Sequence, residues 1–406
     1  MEKIEKYDLT IIGAGPSGVF SALKIAESFK KTKTLIFDTS SAPAKRKRFL
    51  EGYLGCLPSS SGRLYINDSN QLLDYIDGRK VKAAEKFVLK HFSEAGPMKV
   101  IKDRLPSSGI KTKIQNLGFE LTTNDYIQWK PESIHQLSKN ITPSIEDAKN
   151  ITMSFNNEVY DITKIKGGFN IETQEGIVFS KKIIFNVGRS GWKFATHIYK
   201  KFGITIKDDI ANFGITVETQ ASNLKDFNKS HCLLTREDLT IGPFNYNGTI
   251  LPEDHADLVI SAFRGNEARW HTDKVSFQII GNIQVDEGRG VKETDRLAKL
   301  AYLLNNDRIG KEKVRAILKG QATISQLPEY DWLVKTINDL TDLFPVLTNK
   351  ANFHSPTITP LASQIRIADN LETEIPGLFV AGESANFTGI MAAAISGTIA
   401  ANSACK

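Results

Sequence analysis

Three glycines near the N-terminus, Gly13, Gly15 and Gly18, stand in a G-x-G-x-x-G spacing. That spacing suits one piece of chemistry: holding a pyrophosphate against the main chain. The first glycine allows a tight turn, the second lets phosphate approach the backbone, and the third lets helix and strand pack closely. Pro16 and Ser17 fall between them, where a helix begins. Free N–H groups at a helix start supply the positive end an anion needs. An acid, Asp38, lies twenty residues beyond Gly18. A carboxylate there accepts hydrogen bonds from an adenosine ribose and repels a 2′-phosphate.

The flanking elements must place these residues. Leu9, Ile11 and Ile12 form a short apolar run that reads as a buried parallel strand. Val19, Ala22, Leu23 and Ala26 follow at helical spacing, and the apolar run 34–37 is a second strand ending in Asp38. A lone glycine motif is no more than a turn, but here strand, helix and acid agree on a dinucleotide. The basic cluster 45–48 comes next. It reads either as a solvated loop or, through Arg46, as a phosphate contact. The Gly- and Ser-rich stretch 52–64, which includes Gly62, is a loop whose small residues can come close to a cofactor. Cys56 within it reads as a small buried residue rather than a redox thiol, since no partner cysteine is near.

Further along, 69–94 looks helical and 131–149 starts a helix at Pro131. Strand patterns at 151–155, 158–162, 168–173 and 178–179, separated by Asn and Gly turns, read as a three- or four-stranded antiparallel meander. A buried strand at 182–187 then ends in a glycine turn at Gly188. From 205 to 345 strands alternate with polar loops, and 292–318 reads as one long helix. The change of texture makes this stretch a second, inserted domain by expectation, and no second G-x-G-x-x-G follows a strand in it. A third apolar strand, 378–381, ends in Gly382 and Glu383. A small-residue helix from about Gly389 offers a second helix N-terminus.

Composition narrows the class. The chain has 406 residues, too many for one ordinary core, with 41% hydrophobic and 24% charged residues. A net charge of +6 is mildly basic and does not by itself argue for nucleic acid. Three scattered cysteines suit a reducing compartment and argue against structural zinc. The N-terminus runs almost at once into a strand, and no apolar run is long enough to span a bilayer, so a cytoplasmic protein without a membrane association is expected.

Three segments together carry a resemblance: the Gly13–Gly18 loop with Asp38, the V-G-R-S-G turn at 187–191, and the L-F-V-A-G-E run at 378–383. They resemble the two-dinucleotide-binding-domain flavoproteins of glutathione-reductase-like fold. The loop at 52–64 and the run A-G-E-S-A-N-F-T-G-I at 381–390 are also similar to a family of FAD-dependent dehydrogenases. The resemblance implies FAD, with its pyrophosphate on the first loop and its ribityl chain or pyrophosphate at Glu383. It also implies that the backbone of Gly389, Ile390 and Met391 faces the flavin and that the chain around Val159 touches adenine. The implied fold is α/β, a glutathione-reductase-like FAD-binding Rossmann domain with an antiparallel β-meander and an inserted mixed α+β substrate domain. Its boundaries are 1–204 and 346–406 for the FAD-binding domain, and 205–345 for the insertion.

On this reading the protein is an FAD-dependent oxidoreductase of dehydrogenase or oxidase type, moving hydride between a small-molecule substrate and flavin N5. Arg264, Arg269, His271, Tyr246 and His354 are the polar candidates for catalysis, and Trp270 for substrate contact; a lone His or Arg is more often a structural residue. With one dinucleotide loop only, NADH or NADPH is expected to reduce the flavin slowly and without saturation. Two other classes stay open: a flavoenzyme modifying a base in nucleic acid, which is possible but not favoured, and a non-catalytic FAD-binding module. The oligomeric state is not encoded in any motif.

Overall fold

Strand β1 (Lys6–Ile12) carries Leu9, Ile11 and Ile12 almost wholly buried, as a strand covered on both faces requires. In the computed structural model the described residues are 4–45, 52–57, 62–255, 258–264, 271–359 and 362–406. The chain forms two units: one from Met1–Lys99, Ile127–Lys207 and Ala362–Lys406, the other from Val100–Tyr126 and Asp208–Leu361. The sequence boundaries of 205 and 345 thus move to 208 and 361, and the stretch 100–126 joins the second unit.

In the first unit β1 runs parallel to β2 (Thr34–Asp38) on one side. Next to β2 lies β3 (Ile151–Phe155), also parallel. Two further strands, β4 (Val159–Ile165) and β5 (Gly168–Thr173), lead into β6 (Gly176–Phe185). The long β6 has two halves. Its first half pairs antiparallel with β5, and β5 with β4, forming a three-stranded meander. Along β6 a parallel pairing with β1 also forms, and Ile183–Phe185 pair in parallel with the closing strand Leu378–Val380. The parallel part is therefore ordered β3-β2-β1-β6-closing strand.

This corrects the expected meander at one place: β3 does not belong to it. It follows the helix Pro131–Glu146, and a strand reached by such a crossover lies parallel to its neighbour. The stretch 69–94 is likewise not one helix. It is a short 3₁₀ turn, Asn67–Leu72, and a helix Gly78–Glu94 whose start is capped by Asp77, accepting from Arg79 N at 2.8 Å.

Helix α1 (Pro16–Ser28) packs against the C-terminal helix Ile390–Ala404, and both use small residues where they meet. A Cβ at Gly397 would lie 2.1 Å from the Ser17 carbonyl oxygen. Ser21 Oγ donates to Gly397 O at 2.8 Å across the same contact. The C-terminal helix is apolar almost all round and buried along most of its length, as a helix inside a core must be.

The second unit is built on an antiparallel sheet. β7 (Ile210–Gln220) pairs along its whole length with β8 (Lys274–Gln284) and, on its other side, with β9 (Asn352–Thr357). Gly310–Lys313 extends the sheet beyond β9, while Leu239–Ile241, Leu233–Arg236 and Glu120–Thr122 extend it beyond β8. The rings of Phe227, Phe244, Phe277 and Phe344 stack against one another at centroid distances of 4.8 to 5.3 Å. The expected long helix at 292–318 is broken into a helix Gly290–Leu304, the strand Gly310–Lys313 and a short helix Val314–Leu318. Asn306 and Asp307 between them hold φ of +56° and +54°, a left-handed conformation that ends a right-handed helix.

The α1 contact gives a stability prediction. Gly397→Ala drives a methyl group into the Ser17 carbonyl, a backbone atom that cannot rotate away. We expect a loss of about 1–3 kcal/mol, read as a lower midpoint in denaturant. An unchanged midpoint would show that the two helices can separate at no cost.

Candidate functional site

The three motif glycines do different work. At Gly13, φ is +99°, and a Cβ would lie 2.5 Å from Asn186 O. A Cβ at Gly18 would lie 1.9 Å from Gly13 O. The fold itself needs both positions to be glycine. Gly15 is the opposite case. Its φ of −64° is open to any residue, and a Cβ there would meet nothing within 4 Å. No side chain caps α1, and Pro16 occupies its first turn, so the helix start is left for another acceptor. Ser17 Oγ is turned the other way and donates to Asn186 Oδ1 at 2.8 Å.

Asp38, at the end of β2, is 8% exposed. Its Oδ2 accepts from Ala14 N at 2.6 Å, and its Oδ1 from Ser40 N at 2.8 Å and from the Ser40 hydroxyl. Among the described residues, three of the carboxylate's roughly four acceptor positions are filled, which leaves one for a hydroxyl. The carboxylate therefore shapes the loop. Asn157 N donates to the Asp38 carbonyl at 3.3 Å, which brings the start of β4, with buried Val159, beside the same strand end. The small-residue loop also approaches: Leu54 N donates to Ala14 O at 2.9 Å. Gly62, at φ +73°, gives its carbonyl to Trp129 N at 2.7 Å.

The closing strand brings Glu383 to the same edge. A Cβ at Gly188 would lie 3.5 Å from Glu383 Oε2, so the 187–191 turn and the 378–383 run are neighbours there. Arg189, which the sequence reading quoted but gave no role, binds Glu383 through three donors. Its backbone N reaches Oε2 at 2.9 Å, Nε reaches Oε1 at 3.1 Å, and Nη2 also contacts Oε1. Burial opposes the guanidinium's charge, and the Glu383 carboxylate more than offsets it, so Arg189 stays firmly protonated. Gly382, at φ +63°, makes the turn; a Cβ there would lie 3.0 Å from Ser17 Cβ, next to the phosphate loop. Ser384 Oγ donates to Val187 O at 2.6 Å and Gly382 N to Ser396 Oγ at 3.0 Å.

Gly389 starts the C-terminal helix at φ +93° with no side-chain cap. Gln71 fixes the preceding residue from both sides: Oε1 accepts from Thr388 N at 2.9 Å and Nε2 donates to Thr388 O at 2.7 Å. Ile390 follows, half-buried, and Met391 points its side chain into the core, 1% exposed, so at Met391 only the backbone can face a ligand. Asp68, missed by the sequence reading, sits against this start; its Oδ2 would be 2.2 Å from a Cβ at Gly389. Burial pushes its carboxyl up to about 7.

Ile12, Asp38, Phe185 and Val380 end their strands at one edge of the parallel sheet. The carboxyl edge of such a sheet is where ligands bind in open α/β folds. The residues present there fit a dinucleotide: a phosphate loop with room beside Gly15, an acid with an acceptor position open among the described residues, and a second helix start without a side-chain cap.

The catalytic candidates belong to the second unit. Arg46, Arg269, Trp270 and the Arg264 side chain lie outside the described residues. His271 is exposed. Tyr246 is 6% exposed, its ring edge-on to His231, and burial pushes its hydroxyl well above the usual range. No hydrogen-bond partner for that hydroxyl is found among the described residues. His354 lies beside Glu218 on β7. No hydrogen bond joins Tyr246, His271 and His354 among the described residues. The described residues also contain no group of three His, Cys, Asp or Glu side chains able to hold a metal, and no helix long and apolar enough to cross a membrane.

No family model matches the chain, and no curated protein matches it. Solved structures align along nearly all of it at low similarity. Glycine oxidase from Geobacillus kaustophilus is 11% identical, with a TM-score of 0.42, covering 98% of this chain and 94% of that one. NikD, an amino acid oxidase of nikkomycin biosynthesis, is 13% identical at 0.44, with the same coverage. L-proline dehydrogenase from P. horikoshii is 15% identical at 0.42, covering 98% and 93%. At these scores the likeness adds no weight to the reading of the site, which stands on the geometry above.

Asp68 supplies a pH prediction. Its folded pKa, about 7, lies above the ordinary value of 3.8. The protonated form is therefore favoured on folding. This contribution is fully present below pH 3.8 and is lost as pH rises through about 7. Asp68→Asn should flatten the fall in melting temperature across that window. A slope identical to the parent protein's would contradict the assignment.

Proposed function

We propose that the protein is an FAD-dependent oxidoreductase of glutathione-reductase-like fold, acting on a small molecule. The observation that carries this reading is Gly15. Neither its backbone conformation nor its packing requires glycine, yet it lies between two glycines that the fold does require. A glycine with nothing to accommodate inside the protein accommodates something outside it. The neighbouring groups name the guest: N–H groups of an uncapped helix for a pyrophosphate and Asp38 for a ribose.

Bound FAD would supply a two-electron redox centre; the chain holds and orients it. The 13–18 loop and the start of α1 bind the pyrophosphate. Asp38 accepts from the adenosine ribose with its remaining lone pair. Glu383, fixed in one orientation by Arg189, accepts from the ribityl chain, and the backbone at 389–391 presents the positive end of the C-terminal helix. The start of β4 near Val159 lies along the adenine, and the second unit, Val100–Tyr126 and Asp208–Leu361, supplies the substrate domain. With one phosphate loop only, NADH and NADPH are expected to reduce the flavin slowly and without saturation.

Gly15→Val separates cofactor binding from folding. The valine side chain enters empty space, so the melting temperature of the cofactor-free variant should match that of the cofactor-free parent. Its uptake of FAD, followed by absorbance at the oxidised flavin band, should be abolished. A variant that takes up FAD as the parent does would remove the phosphate loop from the site.

A further inference from the structure

Asp68 stands on the 3₁₀ turn Asn67–Leu72, which packs against the C-terminal helix within the first unit. Its Cγ would be 2.8 Å from a Cβ at Gly389, so the carboxyl abuts the start of that helix. The turn is tied there. Gln71 Nε2 donates to Asp68 O at 2.6 Å and to Thr388 O at 2.7 Å, while Gln71 Oε1 accepts from Thr388 N. One carboxamide thus joins the backbone of Asp68 to the residue that precedes the helix.

Asp68 is placed as a helix cap and does not act as one. A capping carboxylate accepts from the second or third N–H of its helix. Among the described residues no N–H donates to the Asp68 carboxyl, which belongs to a half-buried residue. The helix start therefore keeps its N–H groups and has an unpaired acid beside them. No described charge compensates that acid, and burial alone holds it above the ordinary carboxylate range. On the helix Gly78–Glu94, Glu85 accepts from the Ser69 hydroxyl at 3.5 Å. On the strand Arg63–Tyr65, Arg63 Nη1 donates to the Tyr65 hydroxyl at 3.4 Å. Glu383 is matched by Arg189, Asp74 and Tyr75 beyond the turn are exposed, and the helix Ile390–Ala404 carries no ionisable side chain.

We infer that Asp68 is the proton partner of the bound flavin, taking up a proton when the ring held at this helix start gains negative charge. The inference rests on the FAD reading and adds to it a group that sets the reduction potential. Whatever the N–H groups at 389–391 hold has Asp68 as a neighbour. Two electrons and one proton taken up by an oxidised flavin leave it with one negative charge. A like charge within about 4–6 Å disfavours an ionised carboxylate, so an Asp68 carboxylate oxygen binds a second proton. Two electrons and two protons enter in all, one proton on the ring and one on Asp68. The electrons come from the hydride-donating small molecule, or from dithionite in the test below. The sign follows. At acid pH Asp68 is already neutral and leaves the potential alone. Once it is ionised in the oxidised protein it opposes the charge on the ring, and the potential falls.

The test is the reduction potential of the FAD-loaded full chain, titrated with dithionite against reference dyes from about pH 6 to about pH 9. Parent protein and Asp68→Asn are compared, so the ring's own titration is common to both and cancels in the difference. We expect coincident potentials at the acid end. At the alkaline end the parent should be harder to reduce by about tenfold in equilibrium constant, about 30 mV for a two-electron couple. Asp68→Glu, which keeps the acid, should keep the pH-dependent difference. A merely structural role would move the potential equally at every pH. If Asp68→Asn fails to fold, the reduced-minus-oxidised infrared spectrum of the parent decides, with a new carboxylic-acid carbonyl band expected at the alkaline end. No difference between parent and Asp68→Asn, a difference independent of pH, or absence of that band would overturn the inference while FAD binding stands. A folded parent that takes up no FAD would overturn the FAD reading, and this inference with it.

Discussion

A hydrogen bond between the Asp38 carboxylate and the Ala14 amide, 2.6 Å long, holds the candidate site in its shape. It is charge-assisted and buried, so it is among the stronger single contacts a loop can have. Through it the end of β2 fixes the turn that follows β1. Gly13 N donating to Phe37 O at 2.8 Å repeats the tie one strand position earlier. The glycine turn can then pass under Asn186 at the end of β6, where a larger residue than Gly13 would collide with the backbone. Pairing of β6 with the closing strand brings Glu383 to the same edge. The register of four parallel strands thus becomes the position of every group that would touch a dinucleotide.

The second dependence is close helix packing. Gly18 and Gly397 allow α1 to lie against both the loop and the C-terminal helix. That contact sets where the two helix starts end up, and both are without side-chain caps. Two uncapped helix starts at the carboxyl edge of one parallel sheet are costly for a chain that binds nothing there. An anionic ligand satisfies them.

Much of this was legible in the sequence, and the reasons are physical. Local chemistry reads well: the apolar runs of β1, β2 and the closing strand, and glycines whose jobs are steric. Pairings across long sequence distances read less well. Nothing in the apolar alternation of β3 distinguishes a parallel partner from an antiparallel one; only its place after a crossover helix does. Helical spacing at 292–318 concealed a break, because Asn306 and Asp307 are ordinary helix-surface residues until they adopt positive φ. Arg189 and Asp68 were invisible as site residues. Their roles come from partners 194 and 321 positions away, namely Glu383 and Gly389. The cue for Arg189 was present, a charged residue inside a glycine turn that follows a buried strand.

The most direct measurement is calorimetric titration of cofactor-free protein with FAD and, separately, FMN. FMN lacks the adenosine half, and with it the ribose that Asp38 would hold and the second phosphate of the pyrophosphate. The account predicts saturable binding of FAD at one per chain, with FMN weaker by about tenfold or more, since charge-assisted hydrogen bonds worth roughly 1.5–3 kcal/mol each are lost. Equal affinity for the two flavins, or no uptake of FAD by folded protein, would contradict it.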